Sequence, residues 1–254
     1  MMWLRVVVLL GWVGFSAVTG CSQGVGTAQA APAQTDAAKQ IAAMQKKLDD
    51  WPQLGRYREA NAALAAPAAG EKRVVFYGDS ITDAWAQHAD WFFPGKPYVG
   101  RGISGQTTPQ MLVRFQQDVV HLKPAAVVIL AGTNDIAGNT GPSTPEMIED
   151  NFESMIAVAR ANGIKVVVSS ILPADHFSWR PEVRPAEQIR AMNVRLKAMC
   201  VREGLVYLDY YSAMANAQGG LDADLAKDGV HPTAKGYAMM SPLAEKAIGE
   251  ALGR

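Results

Sequence analysis

RVVFYGDSIT, residues 73–82, carries four consecutive bulky apolar side chains, Val74 to Tyr77, and then breaks into Gly78, Asp79 and Ser80. A strand with one wet face alternates apolar and polar residues. An unbroken run rich in β-branched and aromatic residues instead reads as a strand buried on both faces. Similar runs recur at YVGRG (98–102), AVVILAG (126–132), KVVVSSI (165–171) and LVYLDY (205–210). Between them, amphipathic stretches predict helices near 83–92, 108–121, 144–162 and 185–203, with a last one from Pro232 to about Leu252. Strands apolar on both faces and separated by helices imply an α/β fold, a three-layer α/β/α sandwich around a five-stranded parallel sheet.

The chain has 254 residues, 49% hydrophobic, with 24 Lys and Arg balanced by 24 Asp and Glu. That size and composition suit one globular domain after removal of a leader. No excess of positive charge is available to neutralise phosphates, so nucleic acid is not an expected partner.

The leader is MMWLRVVVLLGWVGFSAVTGCS, in which Arg5 precedes an apolar run from Val6 to about Val18, short for a membrane span. It reads as a signal peptide over residues 1–20. Val18-Thr19-Gly20-Cys21 resembles the lipobox of bacterial lipoproteins, which implies a lipid on Cys21 and membrane anchoring of the exported protein. The alternative is cleavage after Ala30 in Ala28-Gln29-Ala30, giving a soluble periplasmic or secreted form. Residues 21–36 have almost no bulky side chain and read as a flexible tether. Residues 37–254 form the folded domain, with an N-terminal helical extension that Asp36 could cap and that offers Trp51, Leu54 and Tyr57 for docking. If Cys21 is acylated, Cys200 is left unpaired, and its helical register marks it as a small buried hydrophobe.

In open parallel sheets, ligands gather at the carboxyl ends of the strands. Ser80 follows the first strand, Gly105 in GISGQTT the second, Asn134 in AGTNDI the third, and Asp228 and His231 in KDGVHPTAKGY the fifth. Each has a plain structural reading as well. Ser80 could cap a helix, Gly105 could permit a turn, Asn134 could be a turn residue, and Asp228 could cap a loop beside a solvated His231. Together they supply what acyl transfer needs: a hydroxyl nucleophile, an imidazole to take its proton, a carboxylate to fix the imidazole, and donors for an oxyanion. Those donors would be the N–H groups of Ser80 and Gly105 and the Asn134 amide. GRGISG lacks the context of a dinucleotide loop, so no cofactor is expected. With four histidines and no H-x-x-H, H-E-x-x-H or cysteine cluster, no metal is expected either, although phosphoester hydrolysis at Asp79, Asp135 and His231 is a conceivable alternative.

In order, GDSIT, the glycine of GISGQTT, GTND and DGVH resemble the four blocks of the SGNH, or GDSL-type, serine hydrolases. The resemblance spans about residues 73–250. It implies a flavodoxin-like sheet of strand order 2-1-3-4-5. It also implies Ser80 as nucleophile, Gly105 and Asn134 as oxyanion donors, and Asp228 and His231 as acid and base. Gly100 and Gln106 stand where many members carry Asn and Asp, departures that bear on loop hydrogen bonding. Thr82 replaces the second glycine of a G-x-S-x-G elbow, which argues against the ordinary α/β-hydrolase fold. Asp79 and Asp135 read as structural hydrogen-bond partners, and His88 and His121 as surface residues. His176 lies in the proline-rich loop PADHFSWRPEVRP (173–185), on the same edge as the catalytic groups, where Phe177, Trp179 and Trp85 could line a substrate pocket.

The function implied is a serine esterase acting on short acyl esters, acetyl above all, of a small molecule or carbohydrate. Longer acyl chains, as in a lysophospholipase or thioesterase, and a non-catalytic glycan-binding lipoprotein are the alternatives.

Overall fold

The computed structural model describes residues 36–253; the signal segment, Cys21, Ala28-Gln29-Ala30 and nearly all of the tether lie outside the described residues. The chain divides into two compact units, residues 1–44 and 45–254. Helix α1 (Asp36–Asp49) begins at the acidic residue expected to open it.

The second unit continues with α2 (Arg58–Ala63), β1 (Val74–Gly78), α3 (Ser80–Ala86), β2 (Tyr98–Gly102) and α4 (Thr108–Asp118). Then come β3 (Ala126–Leu130), α5 (Thr133–Ile136), α6 (Pro145–Ala161), β4 (Lys165–Ser169), α7 (Ala186–Glu203), β5 (Val206–Leu208), α8 (Tyr211–Met214) and α9 (Ala234–Ala251). The five strands pair in parallel in the order β2-β1-β3-β4-β5, as the resemblance implies.

Alternation along the strands sorts the core into two layers. Val75, Tyr77, Val127, Ile129, Val166 and Val168 face α4, α6 and α7, while Val74, Phe76, Val128, Leu130 and Val167 face α3 and α9. Both faces are dry, which is why these strands show no polar alternation. Cys200 lies buried in α7, where burial pushes its thiol up to about 12.

Several element ends differ from expectation. The third helix begins at Ser80 rather than near residue 83, because the Asp79 carboxylate caps it by accepting from Ile81 N–H at 3.0 Å. The last helix starts at Ala234, capped by Thr233, so Pro232 lies just outside it rather than in its first turn.

Two contacts bring the ends of the sheet into register for the site. Tyr237 of α9 stacks on Trp85 of α3 with ring centroids 5.0 Å apart, and its hydroxyl donates to Ile81 O at 2.8 Å. Helix α9 follows His231 and α3 starts at Ser80, so this packing sets the distance between those two residues. Trp85 is therefore a core residue with 2% exposure, and its expected place in a substrate pocket is corrected.

Behind the strand ends, fully buried Arg114 donates to Gly78 O (3.0 Å), Arg101 O (2.9 Å) and Gln106 Oε1 (2.5 Å) and pairs with buried Asp118 at 3.1 Å. Stripping a buried carboxylate of its partner costs about 3–5 kcal/mol, so the arginine locks β1, β2 and the following loop together.

The segment before β1 is held over this loop. Gln106 Nε2 donates to Pro52 O, Gln110 Nε2 to Trp51 O and Gln117 Nε2 to Leu54 O, while Tyr57 OH donates to Gly102 O. Gln106 is thus bonded through both its amide nitrogen and its amide oxygen, so the loop hydrogen bonding that its departure from the family pattern put in question is present. At Gly100 a Cβ would lie 2.2 Å from that of Ala86, so no larger residue fits there.

Candidate active site

Ser80, His231 and Asp228 meet above the carboxyl ends of the strands. His231 Nε2 lies 2.8 Å from Ser80 Oγ, and Nδ1 lies 2.7 Å from Asp228 Oδ2. The other oxygen of Asp228 accepts from Val230 N–H at 3.0 Å and His231 N–H at 2.8 Å. Partial burial alone would raise this carboxyl, but the hydrogen bonds from the His231 backbone and ring and from Val230 outweigh it and hold Asp228 below its usual range. An ionised carboxylate only accepts, so Nδ1 must carry the imidazole proton and Nε2 is left bare toward the serine hydroxyl. The turn that permits this needs Gly229, whose φ is +79° and whose missing Cβ leaves room for His176.

Beside Ser80, the backbone N–H groups of Ser80 and Gly105 have no acceptor among the described residues. Gly105 sits at φ +79°, and its carbonyl turns away to accept from Asn139 Nδ2 at 3.2 Å. Asn134 Nδ2 lies 3.2 Å from Asp79 Oδ2 and 3.0 Å from Gln106 O, and Asn134 Oδ1 accepts from Asn139 at 2.7 Å. The amide is thus aimed from the end of β3 between the loops that follow β1 and β2. Asp135 instead accepts from the backbone and hydroxyl of Thr108, the structural role expected of it.

Asp79 has no exposed surface, and burial pushes its carboxyl up to about 6, against the downward pull of Ile81 N–H and His231. The folded state therefore holds this proton more tightly than the unfolded chain, so stability falls as pH rises from about 4 to about 6. The full loss, reached above pH 6, is about 3 kcal/mol. Asp79→Asn removes the titration. Urea unfolding should show the native protein losing stability relative to the variant across this range; parallel curves would contradict the assignment.

Comparison with known proteins follows the same residues. The family model for the GDSL-like Lipase/Acylhydrolase family matches residues 76–239. The chain belongs to that family. The crystal structure of a GDSL-like lipase from Bacteroides thetaiotaomicron is 45% identical, with a TM-score of 0.76 over 79% of this chain and 99% of that one. Among curated relatives, the uncharacterized lipoprotein YqeF of Bacillus subtilis is 36% identical over 41% of this chain and 50% of its own length. An acetylxylan esterase of Xylanibacter ruminicola is 26% identical over 73% of this chain and 45% of its own length. The chain spans about half the length of these two curated relatives.

Within this GDSL-like chain, the five residues singled out in the sequence all lie at one edge of the sheet. His88 and His121 are exposed outside that cluster. Phe177 is fully buried, while Trp179 stands beside the catalytic histidine candidate, ring centroids 6.5 Å apart. Sequence reasoning missed Asn139, Arg114 and Tyr237. Asn139 had a faint signal as a polar residue shortly after the GTND block; the other two act through long-range pairing that no local pattern announces. Among the described residues, no group of three or more His, Cys, Asp or Glu could hold a metal ion, and no helix is long and apolar enough to cross a membrane.

Proposed function

We propose that this chain is an exported serine esterase that removes short acyl groups, acetyl above all, from a carbohydrate or similar small alcohol. The observation that carries the reading is the continuous hydrogen-bond chain Asp228–His231–Ser80 beside two unengaged backbone N–H groups.

Ser80 attacks the ester carbonyl as His231 Nε2 takes its proton, and Asp228 stabilises the imidazolium that results. Charge then develops on the former carbonyl oxygen, where the N–H groups of Ser80 and Gly105 donate to it, joined by one Asn134 N–H that exchanges its present acceptor for the oxyanion. His231 returns the proton to the leaving alcohol, and water repeats the sequence on the acyl-serine. Family membership supports the reaction class, and the acetylxylan esterase relative supports the short acyl group. The lipobox-like Val18 to Cys21 and the lipoprotein relative support anchoring through a lipid on Cys21.

The test is a series of p-nitrophenyl esters from acetate to palmitate. The highest kcat/KM is expected at acetate or butyrate. A sharp optimum at octanoate or longer would replace this reading with a lysophospholipase or thioesterase, and no turnover of any ester would leave a binding protein.

A further inference from the structure

The loop after β4 places one aromatic face beside the site that the chemistry above does not use. Trp179 is 40% exposed although its ring stacks on buried Phe177, with centroids 4.9 Å apart and planes 23° from parallel. One face is therefore packed and the other open. The indole cannot swing freely, because its N–H donates to Asn139 Oδ1 at 3.0 Å. His176, three residues before Trp179, packs on the turn between Asp228 and His231: a Cβ on Gly229 would lie 2.7 Å from its Cε1. Its Nδ1 lies 2.7 Å from Asp175 Oδ1, and its Nε2 has no partner among the described residues.

We propose that the open face of Trp179, edged by His176, receives the alcohol half of the ester, and that this alcohol carries a pyranose-type ring. The inference rests on the esterase reading, in which His231 protonates the departing oxygen. The leaving group must then pass the imidazole, and Trp179 is the exposed ring next to it. A fatty chain would want an enclosed apolar groove. A quaternary ammonium would want several aromatic faces around it. A single rigid face with a polar rim instead matches a sugar ring, whose C–H face stacks while its hydroxyls reach outward to a group such as His176 Nε2.

The experiment compares three acetates that differ only in the alcohol: an acetylated methyl pyranoside, ethyl acetate and acetylcholine. The full chain and its Trp179→Ala and Trp179→Phe variants are assayed on each. The pyranoside is expected to exceed ethyl acetate in kcat/KM by about tenfold, the size of one aromatic contact, chiefly through KM. That ratio should collapse toward unity in Trp179→Ala and survive largely in Trp179→Phe, which keeps a ring but loses the N–H.

A ratio unchanged in Trp179→Ala, or no ring preference in the native protein, would overturn the proposal. So would a Trp179→Phe ratio as low as that of alanine, because Trp179 would then act by holding Asn139. Preference for acetylcholine that disappears in Trp179→Ala would make the face a cation site. Absence of Ser80-dependent turnover on all three esters would instead overturn the esterase reading, and this proposal with it.

Discussion

Replacing Ser80 by alanine is expected to lower kcat for ester hydrolysis by about a millionfold, to the residue of rate that oxyanion donors and binding alone sustain. In the proposed mechanism the loss is large because the Ser80 hydroxyl alone forms the acyl bond; its partners, once it is gone, have nothing to activate. The fold should hardly register the change. Ser80 is half-buried, and its Oγ bonds to His231 at 2.8 Å, a partner that keeps its anchor in Asp228. A thermal midpoint within about 2 °C of the native value is expected, as for substitutions away from core packing. Assay of p-nitrophenyl acetate beside a thermal melt separates the two effects. Turnover above about one per cent of native would remove Ser80 from the nucleophile position.

Asn134→Ala should lower kcat by about 10²–10³-fold with little change in KM, because an oxyanion donor works on charge present only in the transition state. The amide also has a structural role. Its buried nitrogen also lies against Asp79 and the Gln106 carbonyl, and its oxygen takes a bond from Asn139. Alanine leaves those groups short of a partner, so a loss of about 1–3 kcal/mol in stability should accompany the kinetic effect. Steady-state kinetics on a single ester, with urea unfolding on the same preparation, reads both. A rise in KM at unchanged kcat would instead make Asn134 a ground-state binding residue. The effects of Ser80→Ala and Asn134→Ala should not add, since the oxyanion that Asn134 serves is created by Ser80.

The fold was legible because its strands are buried on both faces. Val74–Tyr77, Ala126–Leu130 and Val166–Val168, rich in β-branched residues and alternating with amphipathic stretches, read as inner strands of a parallel sheet. Their ends were harder to read, since an apolar run continues past the last ladder bond. AVVILAG leaves the sheet after Leu130, where Gly132 takes φ +114°, and KVVVSSI leaves after Ser169.

Of the candidate site residues, Ser80, Gly105 and Asn134 stand out by position, each just after a strand, whereas Asp228 and His231 lie well beyond β5 with α8 between and stand out only as a D-x-x-H block. What closes the 151 residues between Ser80 and His231 was not legible. That work belongs to Tyr237 on Trp85 and on the Ile81 carbonyl, contacts that arise only when distant helices pack; Arg114 in the same way joins the ends of β1 and β2, which no local pattern announces. Trp85 was misplaced for the same reason. A tryptophan near a nucleophile looks the same in sequence whether it faces a pocket or, as here, a cluster with Phe76, Phe93 and Tyr237.

The most direct test of the central claim is covalent trapping with a fluorophosphonate, read by peptide mass spectrometry. The phosphonyl group takes the place of the acyl group on the nucleophile, so it reports which oxygen is activated without assuming a substrate. The expected result is one adduct, on the peptide containing Ser80, absent from Ser80→Ala and formed far more slowly in His231→Ala. An adduct on any other residue, or none in a protein that still hydrolyses esters, would contradict the account.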